Sequence, residues 1–341
     1  MANNSLFCAS LATQSVALAV FLYEGFAYNM VYLRRILPAV GKAALIPPFA
    51  ILFNLSWGLA IWSYMKAHWV DPGTVPQRWQ DWVRSMGDAL PVAPARPEWQ
   101  PGKATYCKKC DVPRPERAHH CLICEVCVLR MDHHCPWLNN CVGFNNQKFF
   151  LLLGIYACLA SLVGLATALP ELWYCAAATA SLEDGFLTFG EHGDVGTSDA
   201  LVFLIFGLLA LFAAFLLAPM LATHLPLAVQ NCTTIEDNYE NMPNPFDQGT
   251  TATNLAQVFG GYGPDWLLPV APWKPLSDGV SFARSDERLG PDGLPERNGV
   301  GGNGEDVEEL WRIRYQVRSP QNVASDNGPL VSLARWWTGD A

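Results

Sequence analysis

The sequence predicts an α-helical multi-pass membrane protein, with four transmembrane helices and a cysteine-rich domain between helices 2 and 3. Two observations support this fold class. Hydrophobic residues make up 51% of the 341 residues and charged residues only 16%, and the charges are distributed very unevenly. In addition, seven of the 11 cysteines lie in one short segment, between Cys107 and Cys141. An ordinary soluble domain of this length shows neither pattern.

Four segments of the chain contain no Asp, Glu, Lys or Arg: residues 1–23, 43–65, 149–170 and 200–235. At ~1.5 Å per helical residue, each is long enough to cross a hydrocarbon layer of ~30 Å. We place the transmembrane helices at about residues 5–26, 43–65, 149–171 and 199–223. We expect Glu24 to cap or end the first helix. A cleaved signal peptide is disfavoured, because no Lys or Arg precedes Arg34.

These helices divide the chain into four parts. They are a first helix pair in 1–65, a cysteine-rich insert in 66–148 with its core at 105–150, a second helix pair in 149–232, and a C-terminal region in 233–341. Residues 277–305 are rich in Gly, Pro, Asp and Arg, so we expect them to be flexible. Thr233 and Glu236 have the spacing of a capping box, which predicts a short helix after the fourth span.

Aromatic and apolar residues outside the four spans suggest contact with the membrane surface. Trp79, Trp82 and Trp99 follow the second span, and such amphipathic rings are favoured at the level of the lipid headgroups. Further along, the apolar residues between Leu310 and Val317 are compatible with either a strand or a membrane-touching segment.

The basic residues predict the orientation of the chain. With four spans, the amino terminus, the insert and the C-terminal region share one side, which holds 19 of the 22 Lys and Arg residues. The positive-inside rule places that side in the cytosol, with Arg34, Arg35 and Lys42 as an exception on the opposite side. Because the cytosol is reducing, the clustered cysteines are better suited to metal binding or catalysis than to disulfides.

Eleven cysteine and histidine side chains crowd the core of the insert. They are Cys107, Cys110, His119, His120, Cys121, Cys124, Cys127, His133, His134, Cys135 and Cys141. A Cys-x2-Cys pair presents two thiolates to one zinc ion, and structural zinc takes four such ligands. Two closed zinc sites therefore use eight of these groups and leave three. Spacing alone does not settle which three.

The run from Asp132 to Cys135 contains an acid, a base and a thiol. A cysteine nucleophile needs a base that accepts its proton and a third group that orients the base. Cys135, His133 and Asp132 can fill these roles, with His119 as the spare group. A purely structural, partner-binding zinc domain is the main competing interpretation. The ligand spacing disfavours a RING-type ubiquitin ligase, and tethering between spans disfavours DNA binding.

One continuous pattern in the insert is highly specific. It reads Cys107-x2-Cys110-x3-Arg114-Pro115-x-Arg117-x-His119-His120-Cys121-x2-Cys124-x2-Cys127-x4-Asp132-His133-His134-Cys135-Pro136-Trp137-x-Asn139-Asn140-Cys141-Val142-Gly143, and continues from Asn146 to Phe150. In this pattern the chain closely resembles the DHHC family of protein S-acyltransferases (palmitoyltransferases). The flanks agree with the resemblance through Asp71-Pro72-Gly73 after span two, Thr233-Thr234-x-Glu236 after span four, and a weaker tail motif of Asn254, Phe259 and Trp266.

The resemblance implies a role for each group of residues. Two structural zinc ions would be held, one by Cys107, Cys110, His120 and Cys127, the other by Cys121, Cys124, His134 and Cys141. Cys135 would be the nucleophile that becomes acylated, His133 its base, and Asp132 the group that orients His133. Supporting positions would be Thr233, Thr234, Glu236 and Asn254.

The resemblance also implies a reaction and its partners. A fatty acyl group such as palmitoyl would pass from acyl-CoA to Cys135, and then to a cysteine of a membrane-associated protein. The acyl chain would lie between the membrane helices, while CoA would stay in the basic cytosolic layer. Candidate contacts for its phosphates, or for lipid headgroups, are Lys108, Lys109, Arg114, Arg117 and Arg130. We expect an endomembrane location, Golgi or endoplasmic reticulum, with the plasma membrane as the alternative, and no nucleic-acid partner.

Two functions from other classes remain as alternatives. One is a catalytically silent, zinc-bearing membrane adaptor. The other is a transporter or channel with a regulatory zinc domain, which the almost wholly apolar third and fourth spans disfavour. Among the remaining side chains, we expect His224 to be interfacial. We expect four cysteines to be inert packing residues: Cys8, Cys158, Cys175 and Cys232.

Overall fold

The computed structural model describes residues 2–179, 186–188, 194–285 and 306–317. Within these residues, four helices are long and apolar enough to cross a membrane. They are Phe7–Ala39, Ala43–Trp69, Gln147–Ala177 and Thr197–Val229, and we refer to them as spans 1 to 4. The predicted helical membrane protein with four spans and a cysteine-rich cluster is therefore confirmed.

Span 1 is longer than the sequence pattern suggested. Helix α1 (Ala2–Phe26) continues directly into a π-helical stretch (Ala27–Ile36) and then into a short helix, α2 (Leu37–Ala39). Glu24 lies within this continuous helix and is only 6% exposed. The expectation that Glu24 ends the helix is thus wrong. A break inside the bilayer would leave backbone groups without hydrogen-bond partners, whereas a continuous helix satisfies them.

The other helices follow in chain order. They are α3 (Ile46–Trp69), α4 (Gln77–Met86), α5 (Gln147–Thr179), α6 (Thr197–Val229), α7 (Thr251–Phe259) and α8 (Asp306–Arg314). The long helix α5 packs against both α3 and α6. It begins at Gln147, earlier than predicted, and both Gln147 and Lys148 are buried by the protein.

The insert is built from short strands. In chain order they are β1 (Val92–Ala93), β2 (Ala104–Cys107), β3 (Val112–Arg114), β4 (His119–Cys121), β5 (Val126–Val128), β6 (His133–Cys135) and β7 (Asn140–Val142). Strand β1 runs parallel to β2, while β2–β3, β4–β5 and β6–β7 are antiparallel pairs. Between spans 3 and 4, β8 (Phe186–Thr188) pairs antiparallel with β9 (Asp194–Gly196).

An aromatic cluster joins the insert to the C-terminal region. Trp79 and Trp82 of α4 are buried against Trp311 of α8, with ring centroids 5.4 and 5.6 Å from its ring, and Trp79 lies 4.9 Å from Tyr315. The predicted headgroup position of these two tryptophans is therefore wrong. The apolar residues near Leu310 lie in the helix α8 rather than in a strand, and this helix buries Trp311 against the insert.

The rest of the C-terminal region packs closely onto the insert. Trp99 is buried beside Phe246, with centroids 5.7 Å apart, and so is not at the headgroup level either. In the predicted flexible segment, residues 277–285 are ordered, and Val280 and Phe282 are buried. The remainder of that prediction, residues 286–305, lies outside the described residues. Burial of two apolar side chains explains why a segment of flexible composition is held in place.

Candidate active site

Three β-hairpins of the same geometry follow one another in the insert. We define hairpin 1 as residues 105–114, hairpin 2 as 119–128 and hairpin 3 as 133–142. Their cross-strand pairs correspond at a spacing of 14 residues, as Cys107, Cys121 and Cys135 illustrate. The last turn residue has a positive φ in each hairpin, 58°, 58° and 48°. Two-stranded hairpins this short are not stable by themselves, so they need additional cross-links.

Each of two donor groups is shared by two consecutive hairpins. The two cysteines in the turn of one hairpin meet the cross-strand His and Cys of the next. The first group is Cys107, Cys110, His120 and Cys127, and the second is Cys121, Cys124, His134 and Cys141. The structure thus assembles the same two groups that the family resemblance implied.

The spacing of the donor atoms fits a tetrahedral zinc ion. Cys110 Sγ lies 3.2 Å and Cys127 Sγ 3.9 Å from His120 Nδ1, and in each group all four donor atoms lie within 4.8 Å of one another. With Zn–S near 2.3 Å and Zn–N near 2.0 Å, the edges of such a tetrahedron are about 3.5–3.8 Å. All the cysteines in the described residues are free thiols. The chemistry and geometry of both groups therefore suit zinc.

Hairpin 3 breaks the series, and this leaves Cys135 free. By position, Cys135 corresponds to Cys107 and Cys121, the first turn cysteines of the other hairpins. The second turn cysteine is replaced by Leu138, which is buried. No fourth hairpin follows within the described insert, because α5 begins at Gln147. Cys135 therefore has the rigid geometry of a metal-binding turn but belongs to neither donor group.

Asp132 and His133 form the charged part of the site. His133 Nδ1 donates to Asp132 Oδ2 over 2.6 Å, which leaves the other ring nitrogen for Cys135. Burial opposes protonation of His133, but hydrogen bonds with Asp132 and Cys135 raise its pKa to about 9. Burial alone would raise the pKa of Asp132, yet hydrogen bonds from His133 and His224 hold that pKa well below its usual range. The pair is therefore suited to stabilise a thiolate.

His119 is the histidine equivalent to His133 in hairpin 2, and it lacks a preceding aspartate. It occupies in hairpin 2 the place of His133 in hairpin 3, but Ala118 precedes it where Asp132 precedes His133. Burial, reinforced by the nearby Arg114, lowers the pKa of His119 to about 4. The pKa values of these two equivalent histidines are therefore shifted in opposite directions, because His133 has hydrogen bonds with Asp132 and Cys135 whereas burial and nearby arginines dominate at His119.

The segment after span 4 braces Asp132 from the other side. The Thr234 amide donates to Asp132 Oδ1 over 2.9 Å, and the Thr234 hydroxyl donates to the Asp132 carbonyl over 2.6 Å. The predicted capping pattern is present, with the Thr233 amide donating to Glu236 Oε2 over 2.9 Å. It starts only a short 3₁₀ turn, Glu236–Asn238.

Comparisons with known proteins agree with this geometry. Residues 100–241 match the family model of the DHHC palmitoyltransferase domain. Palmitoyltransferase ZDHHC20-B of Danio rerio is 32% identical over 261 residues, which cover 69% of this chain and 74% of the relative. The chain belongs to the DHHC palmitoyltransferase family.

Other relatives extend the similarity. Probable protein S-acyltransferase 13 of Arabidopsis thaliana is 32% identical over 279 residues, covering 77% of this chain and 87% of the relative. Palmitoyltransferase ZDHHC15A of Danio rerio is 30% identical over 309 residues, covering 83% and 87%. The predicted family and the predicted protein S-acyltransferase activity are thereby confirmed.

Two of the five candidate CoA contacts have a structural role in this DHHC chain. Arg117 forms a bidentate ion pair with Glu236, both bonds being 2.7 Å, and its guanidinium lies 4.5 Å from the Phe246 ring. Arg130 donates to the Asn231 side chain over 2.7 Å. Both arginines are buried. Their guanidinium groups are therefore engaged inside the fold, and the predicted contact with CoA gains no support from their positions.

The other three basic candidates are more accessible. Lys108 and Lys109 are exposed in the turn of hairpin 1. Arg114 is half-buried and donates to the Thr105 hydroxyl over 3.0 Å. Of the tail positions expected to support the DHHC site, Asn254 is buried and donates to Asp247 over 2.7 Å, so it orders the local turn.

The turn after Cys135 is fixed by spans 1 and 2. Three consecutive carbonyls of this turn accept hydrogen bonds from side chains of the two helices. The pairs are Thr13 with Pro136 at 2.7 Å, Tyr64 with Trp137 at 2.9 Å and His68 with Leu138 at 2.6 Å. In return, the Asn140 amide donates to the carbonyls of His68 and Val70 at the end of α3. These contacts were not predicted, because single polar residues in an apolar span give no sign of their partner.

His224 was also missed as a member of the site. We expected an interfacial side chain, but His224 Nδ1 lies 3.4 Å from Asp132 Oδ2, and its ring centroid lies 5.1 Å from that of His133. A lone histidine near the end of a span is a weak signal. Only the packing of α6 against the insert brings it to the DHHC motif.

Proposed function

We propose that this chain transfers a fatty acyl group from acyl-CoA to protein cysteines through an acyl-enzyme formed on Cys135. The observation that carries the proposal is the position of Cys135. It has the geometry of a zinc-binding turn but lies outside both donor groups, two residues beyond a histidine held by a buried aspartate. A thiol, a base and an orienting acid are the parts that an activated cysteine requires.

The proposed reaction has two balanced steps. First, the Cys135 sulfur attacks the thioester carbonyl of acyl-CoA, the bond to the CoA sulfur breaks, and CoA leaves as a thiol with the proton that His133 took from Cys135. Second, a substrate cysteine attacks the acyl-enzyme, and His133 passes the substrate proton to the Cys135 sulfur as it leaves. Each step exchanges one thioester for another, so neither step needs ATP.

We propose that each four-donor group holds one structural zinc ion. The ions would supply the cross-links that hairpins of three-residue strands lack, and all four ligand positions of each are taken by protein. The chemistry of the transfer is then carried by the side chains of hairpin 3. Lys108 and Lys109 remain our candidates for contacts with CoA phosphates or anionic headgroups.

The surroundings of Cys135 suit an acyl chain. Cys135 belongs to an apolar cluster with Tyr64, Leu138, Phe149 and Phe150, formed where spans 2 and 3 meet the insert. Each methylene that leaves water for such surroundings contributes ~0.8 kcal/mol. We infer that the chain of the donor lies between the spans and that the substrate cysteine approaches from the membrane surface.

We also propose the orientation given by the positive-inside rule. The insert, the amino terminus and the C-terminal region would face the cytosol. The substrates would be membrane-associated proteins with cysteines near the bilayer. For the host membrane we propose the endomembrane system, Golgi or endoplasmic reticulum.

An alkyne-tagged fatty acyl-CoA tests the proposal on the full-length chain in detergent. We expect hydroxylamine-sensitive label on the wild type and none on Cys135→Ser. Cys158→Ser is the matched control, because Cys158 lies within span 3 and should leave the label unchanged. Label that persists in Cys135→Ser would contradict the assignment of the nucleophile. A wild type that takes up no label while retaining its zinc would instead point to an adaptor.

A further inference from the structure

His224 lies on the side of the Asp132 carboxylate that His133 leaves open. It sits in the last turns of α6, with a side chain that is 14% exposed. Its Nδ1 atom is 3.4 Å from Asp132 Oδ2, the same oxygen that His133 Nδ1 contacts at 2.6 Å. Two imidazoles from distant parts of the chain therefore converge on one carboxylate oxygen.

The Asp132 carboxylate is deeply buried, so its stability depends on the hydrogen-bond donors around it. Asp132 is 1% exposed, and an ionised group at such a site is stable only when it is well hydrogen-bonded. Oδ1 accepts the Thr234 amide, and Oδ2 is approached by the two histidines. Without His224, the oxygen that orients His133 would lose one of its two nitrogen neighbours.

The histidine rings also pack against one another. The His224 centroid is 5.1 Å from His133 and 4.9 Å from Phe150, and Phe150 is 5.2 Å from His133. This three-ring cluster restricts rotation of the His133 ring. It joins hairpin 3 to spans 3 and 4, because Phe150 belongs to α5 and His224 to α6.

We propose that His224 is a positioning residue for acyl transfer. It fixes the Asp132 carboxylate through its Nδ1–H, so that the carboxylate in turn aims His133 at Cys135. The inference rests on the proposed function, since it assumes that His133 serves Cys135. It predicts a loss of rate in forming the acyl-enzyme, with little change in the acyl-CoA concentration that gives half the maximal rate.

Two substitutions separate the hydrogen bond from the ring. His224→Phe keeps an aromatic ring beside Phe150 but removes the donor. His224→Asn removes the ring but keeps an N–H close to the position of Nδ1. Thr223→Val is the matched control on the same helix, because the Thr223 hydroxyl is exposed and donates to its own helix at Pro219.

The measurement is single-turnover acylation of full-length, zinc-loaded protein by palmitoyl-CoA. We expect His224→Phe to be slower by about tenfold or more, since hydrogen bonds to buried charges are the strong ones. His224→Asn should recover most of that loss, and Thr223→Val should match the wild type. Wild-type rates in His224→Phe would overturn the proposal. Equal losses in the Phe and Asn variants would also overturn it, because the N–H that His224→Asn keeps would then restore nothing.

Two further readouts keep the outcomes distinct. Asp132, His133 and His224 each bring a ligand atom within 4.8 Å of the others, so zinc content is measured in every variant. A third zinc in the wild type that disappears in His224→Phe would overturn the positioning role in favour of a metal site. Cys135→Ser is run in parallel. Label that survives there contradicts the proposed nucleophile, whereas a normal His224→Phe rate contradicts only the role of His224.

Discussion

At the scale of single residues, the site is defined by two replacements within a repeated hairpin. Asp132 stands where hairpin 2 has Ala118 before its strand, and Leu138 stands where the other turns have their second cysteine. Cys135 itself is unchanged, but its counterparts Cys107 and Cys121 belong to the two donor groups and Cys135 belongs to neither. A metal-binding turn thus becomes a candidate nucleophile site by losing one ligand and gaining one acid.

Asp132→Asn tests the role of the acid. We expect the rate of Cys135 acylation to fall by about 10²- to 10⁴-fold, because a neutral amide cannot stabilise the protonated His133 ring. The rate is measured with acyl-CoA under single-turnover conditions. Asp237→Asn, an exposed acid close to Glu236, is the control and should leave the rate unchanged. An Asp132→Asn rate within a few-fold of the wild type would show that the carboxylate charge is not needed.

At the scale of elements, the segment after span 4 holds the insert through a buried ion pair. Arg117, between hairpins 1 and 2, pairs with Glu236 beneath the rings of Phe246 and Phe282. Burial alone would raise the pKa of Glu236, but Arg117 lowers it, so the carboxylate is charged at neutral pH. A charge in this position depends on its partner, since breaking a buried pair costs more than removing it whole.

Arg117→Met and the double variant Arg117→Met/Glu236→Met test this pair. The single variant leaves Glu236 buried without its partner and should lose about 3–5 kcal/mol of unfolding free energy. The double variant should recover a large part of that loss. Denaturant-induced unfolding of the detergent-solubilised protein provides the measurement. Equal destabilisation of both variants would mean that packing, rather than the unpaired charge, dominates.

The sequence predicts the chemistry of this site better than its architecture. Donor groups follow from the Cys-x2-Cys pairs and the resemblance, because each hairpin is local in sequence and its turn fixes its register. The 14-residue repeat is also visible in the spacing of Cys107, Cys121 and Cys135. His224 and α8 could not be found in this way. Their partners lie far along the chain, and the same residue patterns are common on membrane-facing and solvent-facing surfaces.

At the scale of the whole molecule, the spans and the insert pack together as one structural unit. The start of α5 is buried beneath hairpin 3, α8 packs on α4, and Asp132 is held by a residue beyond span 4. The candidate site is therefore complete only when parts on both sides of the second helix pair have come together. Its integrity depends on the fold of the insert as much as on any one contact.

Removal of zinc tests this dependence. A strong chelator should release about two zinc ions per chain, expose the insert to proteases and abolish acylation, because the hairpins lose their cross-links. Zinc content, limited proteolysis and acylation are measured on the same sample. Cys110→Ser should have the same effect in part, and Cys232→Ser serves as the control thiol outside both groups. Full activity in metal-free protein would show that the ions do not maintain the site.

The hydrogen bonds from Thr13, Tyr64 and His68 to the turn after Cys135 have a consequence for substrate access. Side chains of two helices donate hydrogen bonds to three successive peptide groups. The position of the Cys135 sulfur along the bilayer normal is therefore set by the spans and not by motions of the parts of the chain outside them. A target cysteine must come to that fixed height. We expect its distance from its own membrane anchor, more than the sequence around it, to decide whether it reacts.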